Sequence, residues 1–365
     1  MILKGKCVWL NGRFMSAALF VENGKIQQVL PYENVSDGVD FGEKRVVPGF
    51  IDIHTHGAYG FDTNSADPNG LKMWQNRLPA EGTTSFLATT VTAFKGTLLQ
   101  ALHNVAEVKQ QSTLGAELLG VHLEGPYIDG KYHGAQPIEA IVKPAVQEFE
   151  EYQKAAEGAI RLVTLAPEHD CNFALTRYCA QQGVVVSLGH SSATLEQAAL
   201  AAANGAKSVT HTYNGMSAFS HRANGMVGAA LRLDDLYTEV ICDCNHCTPE
   251  ALNLLFRTKG KDRCIMVSDS LMCKGYLPGK RFCFAGLEVE IYEDGSAHLV
   301  KEKNFAGSTM KMNEGLKNLV ERALVPFEAA LNSCTVNPAA LLGEGARIGS
   351  LTVGHDADIV LLDDD

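Results

Sequence analysis

From residue 48 onward the chain alternates short apolar runs with segments of helical character, and this rhythm constrains its fold more than any other feature. The eight runs are "GFIDIH", "TSFLATTV", "LLGVHLEG", "AIRLVTLAPE", "GVVVSLGH", "SVTHTYNG", "EVICDCNH" and "RCIMVSDS". Stretches such as "LEQAALAAANGA" and "TPEALNLLFRTKG" lie between them. Continuous hydrophobicity, rather than strict alternation, indicates strands buried on both faces, as in a parallel sheet covered by its crossover helices. With that many runs, closure into a (β/α)8 barrel is the simplest way to bury both faces.

The two flanks have a different pattern. Residues 1–47 alternate apolar stretches with turn signals, and the pairs Asn11-Gly12 and Asn23-Gly24 predict tight hairpins between strands. After Asp269, "KRFCFAGLEVEIYEDGSAHLV" reads as antiparallel strands around an Asp-Gly turn, "STMKMNEGLKNLVERA" as helical, and "IGSLTVGHDADIVLLDDD" as strand again. The expected architecture is α/β: a TIM-like barrel over 48–340 flanked by a small β-sandwich domain built from 1–47 and 341–365. Because the sequence stops soon after "DIVLL", a last strand is expected to be missing.

Several function classes are disfavoured by composition. A net charge of −11 argues against binding a nucleic-acid backbone, though a local cation could still hold a small anion. No apolar run approaches the roughly 18 residues of a membrane span. The N-terminus "MILKGKCVWLNGRF" has no apolar core followed by a small-residue cleavage site. Ten scattered cysteines in 365 residues are too dilute for a disulfide scaffold and fit a reducing compartment. The expectation is a soluble, cytoplasmic protein with no nucleic-acid or membrane partner.

Metal-competent side chains recur where the apolar runs end: His54 and His56, Glu124, His190, His211 and Asp269. In a parallel barrel the carboxyl ends of all strands open on one face, so these residues would converge there. His54 and His56, two apart on an extended chain, point to the same side and can address one ion. Taken singly each has a plainer reading, as a hydrogen-bonded loop residue or a turn cap. Taken together, imidazoles and carboxylates closing separate strands are difficult to explain by packing, which would favour Val or Ile.

The segments "PGFIDIHTHG", "GVHLEGPY", "LGHSSAT", "THTYNGM", "DCNH", "VSDS" and "AGSTM", in this order, resemble the N-acetylglucosamine-6-phosphate deacetylase family of the amidohydrolase superfamily, from about residue 45 to about 355. The resemblance implies hydrolysis of the N-acetyl group of N-acetylglucosamine 6-phosphate, giving glucosamine 6-phosphate and acetate. It implies Glu124, His190 and His211 as ligands of a divalent metal ion, zinc or iron, with His54 and His56 available for a second ion bridged by Glu124. Two imidazoles and a carboxylate leave an open position, which suits a catalytic rather than a structural metal. Asp269 is implied as the acid-base residue, taking a proton from the attacking water and returning it to the leaving amine.

Arg222 and His246 are implied to bind the sugar phosphate, Arg222 from the neighbouring subunit of a homodimer; a planar guanidinium can grip phosphate with two hydrogen bonds. Further substrate contacts carried over are Ala135, Gln136, Asn214, Gly215, Asp243, Cys244, Asn245, Phe305, Ala306 and Gly307. Two departures bear on the sugar pocket: Ala223-Asn224-Gly225 follows Arg222 where Glu-Pro-Gly is usual, and Cys244 stands where glycine is usual. The alternatives are deacetylation of the galactosamine epimer, or a catalytically silent sugar-phosphate binder. The cluster Cys242, Cys244, His246 and Cys247 also invites a structural zinc, against which Cys247 faces away from the others in an extended chain.

Overall fold

The structure, a computed structural model, describes residues 1–111 and 114–363. The N-terminal segment forms β1 (Ile2–Leu10), β2 (Arg13–Glu22), β3 (Lys25–Pro31), β4 (Val39–Asp40) and β5 (Arg45–Pro48). Both predicted hairpins are present. Leu10 pairs with Arg13 and Glu22 with Lys25, leaving two-residue loops. Their central residues have positive φ: Asn11 49°, Gly12 78°, Asn23 53° and Gly24 72°. That is the left-handed backbone for which Asn-Gly is suited.

The barrel begins at β6 (Phe50–Thr55), followed by a small hairpin of β7 (Gly57–Ala58) and β8 (Phe61–Asp62). It continues through β9 (Thr83–Thr89), β10 (Glu117–Glu124), β11 (Ile160–Leu165), β12 (Val185–Leu188), β13 (Ser208–Val209), β14 (Tyr237–Ile241) and β15 (Cys264–Val267). Each of the eight apolar runs supplies one of these strands, and they are hydrogen-bonded in sequence order, all parallel. Helices such as Lys95–Lys109, Leu195–Ala203 and Pro249–Lys259 cover the outside.

The seam between β15 and β6 closes in another way. Asp269 N donates to His54 O at 2.8 Å, and the buried Asp52 carboxylate accepts from Ser268 Oγ at 2.6 Å and Ser268 N at 3.2 Å. A side chain therefore does part of what a strand ladder does elsewhere, and it places Asp269 beside the end of β6.

Beyond the barrel, β16 (Arg281–Phe284), β17 (Leu287–Ile291) and β18 (Ala297–Leu299) form the expected antiparallel sheet, with Gly295 of the Asp-Gly turn at φ 81°. The C-terminal β19 (Ile359–Leu362) pairs with β5, so both ends of the described chain share one six-stranded sheet. That sheet has its own small core of Val8, Ala17, Leu19, Val21, Ile26, Val46 and Leu351. No helix among the described residues is long and apolar enough to cross a membrane.

Candidate active site

All six residues singled out at strand ends meet at one mouth of the barrel. His54 lies on β6 and His56 just beyond it; Glu124 is the last residue of β10. His190, His211 and Asp269 each follow a strand by two residues, after β12, β13 and β15. These three have φ of 46°, 29° and 47°, a left-handed backbone uncommon for residues with a side chain. Such strain persists only where surrounding structure enforces it, and it concentrates at functional sites.

Two triads form, Glu124–His190–His211 and His54–His56–Asp269, each with ligand atoms close enough to share one ion. In the first, His190 Nε2 and His211 Nε2 stand 3.2 and 3.1 Å from Glu124 Oε1 and 3.0 Å from each other. Their other ring nitrogens face backbone carbonyls: His190 Nδ1 at 2.7 Å from Tyr132 O, His211 Nδ1 at 3.1 Å from Asn214 O. A carbonyl only accepts, so Nδ1 carries the hydrogen in both rings and both Nε2 lone pairs aim at the same point. Two lone pairs and a carboxylate oxygen repel one another unless a cation lies among them, so this donor set fits a divalent metal.

The second triad includes His54, which is fully buried and does not line the pocket. His56 Nε2 is 3.2 Å from Glu124 Oε2 and 3.2 Å from Asp269 Oδ1. His54 Nε2 is 3.5 Å from both Glu124 Oε1 and Asp269 Oδ1, with no hydrogen-bond partner. Glu124 thus reaches both sets: Oε1 faces His190, His211 and His54, and Oε2 faces His56. Burial disfavours charge on His54 and His56, but the Glu124 and Asp269 carboxylates outweigh it, raising His54 well above the ordinary value and His56 to about 9. Reciprocally, burial pushes Glu124 up, yet His54 and His190 hold it well below the usual carboxylate range. The carboxylates thus demand positive charge here, as protons or as metal.

Beneath this cluster lies a hydrogen-bonded polar layer that the strand-end reading missed. His122 Nε2 pairs with Thr164 Oγ1 at 2.7 Å, Thr164 Oγ1 with Thr210 Oγ1 at 2.8 Å, and Thr210 Oγ1 donates to Ser187 Oγ at 2.7 Å. The His122 ring meets that of His54 edge to face at 4.5 Å. Burial, reinforced by His54, holds the His122 pKa well below normal. A second missed residue, Glu239 on β14, places Oε2 3.1 Å from His54 Nδ1. Both interrupt apolar strands; a polar residue inside a run buried on two faces is the signal that would have found them.

Above the cluster opens a pocket of about 150 Å³ lined by His56, Glu124, Gln136, His190, His211 and Asp269 together with Ala135, Asn214, Gly215, His246, Phe305 and Gly307. Gln136 donates from Nε2 to Glu124 Oε2 at 2.9 Å, while its Oε1 accepts from Thr92 N at 2.9 Å and from the Thr92 hydroxyl. Its amide is therefore oriented from behind by a residue not anticipated. His246 is held by Asp243, whose Oδ2 accepts from Nδ1 at 2.7 Å and whose Oδ1 accepts from the backbone N–H of Asn245 and His246, both at 2.9 Å. Phe305 packs on the His246 ring with centroids 4.6 Å apart.

Other expected contact residues stand back from the pocket. Asp243 and Asn245 shape the turn carrying His246. Cys244 is the left-handed residue of that turn, φ 61°, and packs against the hydrophobic cluster to which Val240 and Cys242 belong. "CDCNH" is thus a turn rather than the end of a strand. Ala306 is fully buried, its N–H bound to Ala297 O at 2.9 Å. Arg222 is exposed on the Ser220–Ala223 turn, away from this chain's own pocket. Cys242 and Cys247 are buried, and among the described residues they belong to no metal-competent group.

A third such group, Asp129–Glu168–His169, lies outside the mouth. Asp129 Oδ2 pairs with His169 Nε2 at 2.7 Å, and Glu168 accepts from Ser191 Oγ at 2.7 Å and from Ser192 Oγ at 3.0 Å. These bonds brace the loop immediately after His190.

Comparison with known proteins identifies the family. The chain matches the amidohydrolase family over residues 45–365. It is 42% identical over 352 residues to N-acetylglucosamine-6-phosphate deacetylase of Bacillus subtilis, covering 94% of this chain and 88% of that one. It is 35% identical over 316 residues to N-acetylgalactosamine-6-phosphate deacetylase of Escherichia coli, covering 87% and 83%. A solved mutant of the Mycobacterium smegmatis N-acetyl-D-glucosamine-6-phosphate deacetylase, in complex with N-acetyl-D-glucosamine-6-phosphate, superposes with a TM-score of 0.94 at 27% identity, over 100% of this chain and 95% of that one. The chain belongs to the amidohydrolase family, alongside relatives named as N-acetylglucosamine-6-phosphate deacetylases.

Proposed function

We propose that the protein hydrolyses the N-acetyl group of N-acetylglucosamine 6-phosphate, giving glucosamine 6-phosphate and acetate. The observation that carries this is the Asp269 carboxylate within a buried set of carboxylate and imidazole ligands, lining one pocket with His246 and Phe305. Glu124, His190 and His211 would hold one divalent ion, zinc or iron, and His54 and His56 a second, with Asp269 and the other Glu124 oxygen beside them. A divalent cation supplies Lewis acidity to such a site, polarising a carbonyl oxygen and acidifying water.

The protein's own groups do the remaining work. Asp269 takes the proton from water as it attacks the acetyl carbon, then returns it to the sugar nitrogen as the C–N bond breaks, so that the amine leaves neutral. Its backbone clamp, N to His54 O and O from Ser308 N at 2.7 Å, holds that carboxylate over the pocket. Gln136, pinned by Thr92, fixes one wall with its amide hydrogens directed inward. His246, its Nδ1 occupied by Asp243, presents Nε2 towards the sugar phosphate, while Phe305 offers an apolar face to the sugar. Arg222, exposed on its own subunit, supplies a second phosphate cation to the neighbouring site of a homodimer. The protein works in the cytoplasm and takes neither nucleic acid nor membrane as partner.

Acetate release from N-acetylglucosamine 6-phosphate and from its galactosamine epimer, measured in parallel on metal-loaded protein, tests the reading. The expected result is turnover with the glucosamine substrate preferred. Preference for the epimer would move the assignment to the second substrate. Binding of both sugars without acetate would replace it with a silent binder.

A further inference from the structure

Glu239 is a buried carboxylate that the reaction outlined above does not use. It sits on β14 with its side chain fully buried. Among the described residues its ion pair is with His54, Oε2 to Nδ1 at 3.1 Å, and its other oxygen, Oε1, has no hydrogen-bond partner. A half-satisfied carboxylate in such a place costs stability, since burying charge without full compensation is unfavourable. Hydrophobic packing would favour Val or Ile at this strand position.

Its geometry gives it one chemical consequence. A carboxylate only accepts hydrogen bonds, so His54 Nδ1 carries a hydrogen, and in the neutral, ligating ring the lone pair is confined to Nε2. That Nε2 lies 3.5 Å from both Glu124 Oε1 and Asp269 Oδ1, too far and too alike in polarity for a hydrogen bond between a neutral imidazole and carboxylates. The arrangement becomes favourable when a cation lies between them. We infer that Glu239 is a positioning residue that fixes His54 as an Nε2 ligand and thereby sets occupancy of the inner of two cation positions, while the outer position at Glu124, His190 and His211 is independent of it. This rests on the two-cation reading of the site. The outer imidazoles are oriented by backbone carbonyls of Tyr132 and Asn214, whereas His54 is oriented by a charged side chain, which also raises the ring's basicity as a ligand.

The test is titration of metal-free protein with Zn²⁺ alone, read by calorimetry, with bound metal per chain counted after dialysis at fixed free Zn²⁺. Wild type is compared with the isosteric Glu239→Gln and with Glu239→Leu, which leaves an apolar side chain in the buried position; circular dichroism and Tm report folding. Wild type should take two ions. Both variants should keep the first at unchanged affinity and bind the second about 10–100-fold more weakly. A role confined to packing would shift Tm and leave two ions of wild-type affinity in both variants, which would overturn the inference while sparing the two-cation reading. A single ion in wild type would instead overturn the two-cation reading and this inference with it. Acetate release, assayed separately, reports on the proposed reaction and not on ion count.

Discussion

Replacing Asp269 by Asn tests proton transfer directly, provided ion occupancy is followed alongside turnover. The residue is held through its backbone by His54 O and Ser308 N, and its φ of 47° is one that Asn adopts about as readily as Asp. The side chains are nearly isosteric, so the fold and the pocket should persist. What disappears is a proton acceptor and one negative charge 3.2 Å from His56 Nε2. A positioned acid-base group contributes about 10²–10⁴-fold to rate, or roughly 3–6 kcal/mol of barrier at about 1.4 kcal/mol per decade. Steady-state acetate release should therefore show kcat reduced by about three decades. KM should remain within about threefold, because His246, Phe305 and Asn214 are untouched. Bound metal must be counted on the same sample, since Asp269 borders the inner cation position and ion loss would imitate a chemical defect. With the outer ion retained, a kcat within tenfold of wild type would refute the acid-base role; a change in KM alone would make Asp269 a binding residue.

Three further perturbations follow from the structure. Lys274 and Glu81 form a fully buried pair, Nζ to Oε2 2.9 Å, so Lys274→Met strands a buried carboxylate; denaturant unfolding should show about 3–5 kcal/mol lost, with part recovered in the double variant with Glu81→Gln. At Gly125, φ 68°, an added Cβ would overlap the Thr92 hydroxyl and lie 2.8 Å from Gln136 Oε1, so Gly125→Ala should dislodge the Gln136 amide and reduce kcat by at least about tenfold. Burial, with Asp356 and Glu117 nearby, raises Asp358 to about 6 from an ordinary 3.8. The folded state thus disfavours the charged form, a penalty of at most about 3 kcal/mol that is full above pH 6 and relieved as pH falls towards 4. Asp358→Asn should be more stable than wild type at pH 8 by urea unfolding, with the gain vanishing near pH 4; an equal gain at both values would refute that origin.

What could be read from the sequence divides along a physical line. A strand covered on both faces must be apolar along its length, so each barrel strand showed as a run bounded by polar residues, and the hairpins showed because Asn-Gly pairs relieve a specific backbone cost. The strand-end ligands were legible for a related reason, since the barrel topology alone decides that such ends converge. Asp52, His122 and Glu239 stand out only as polar residues in buried runs, and their roles were not legible, because their partners are Ser268, Thr164 and His54, separated from them by 216, 42 and 185 residues. No local pattern connects those pairs. The turn carrying His246 escaped for a similar reason: the apolar run continues through Cys242, but Asp243 captures the next backbone N–H groups and ends the strand at Ile241.

Of the residues that escaped, Glu239 adds its charge to that of the two expected carboxylates, which bears on how the site is maintained. Glu124, Asp269 and Glu239 bring three carboxylates into one nearly dry volume, with relative exposures of 2%, 7% and 0%. Imidazoles alone can balance them only by taking up protons, and a protonated ring cannot be a ligand. Metal binding and protonation therefore compete for the same lone pairs, so ion affinity should fall as the medium becomes more acidic. The polar layer at Thr164, Thr210 and Ser187 cannot relieve that competition, because its hydroxyls already bond one another and His122. Excess negative charge at the mouth can be settled only from above, by cations. The same imbalance that makes these positions costly to fold is what would hold a divalent ion where Asp269 can reach the water beside it.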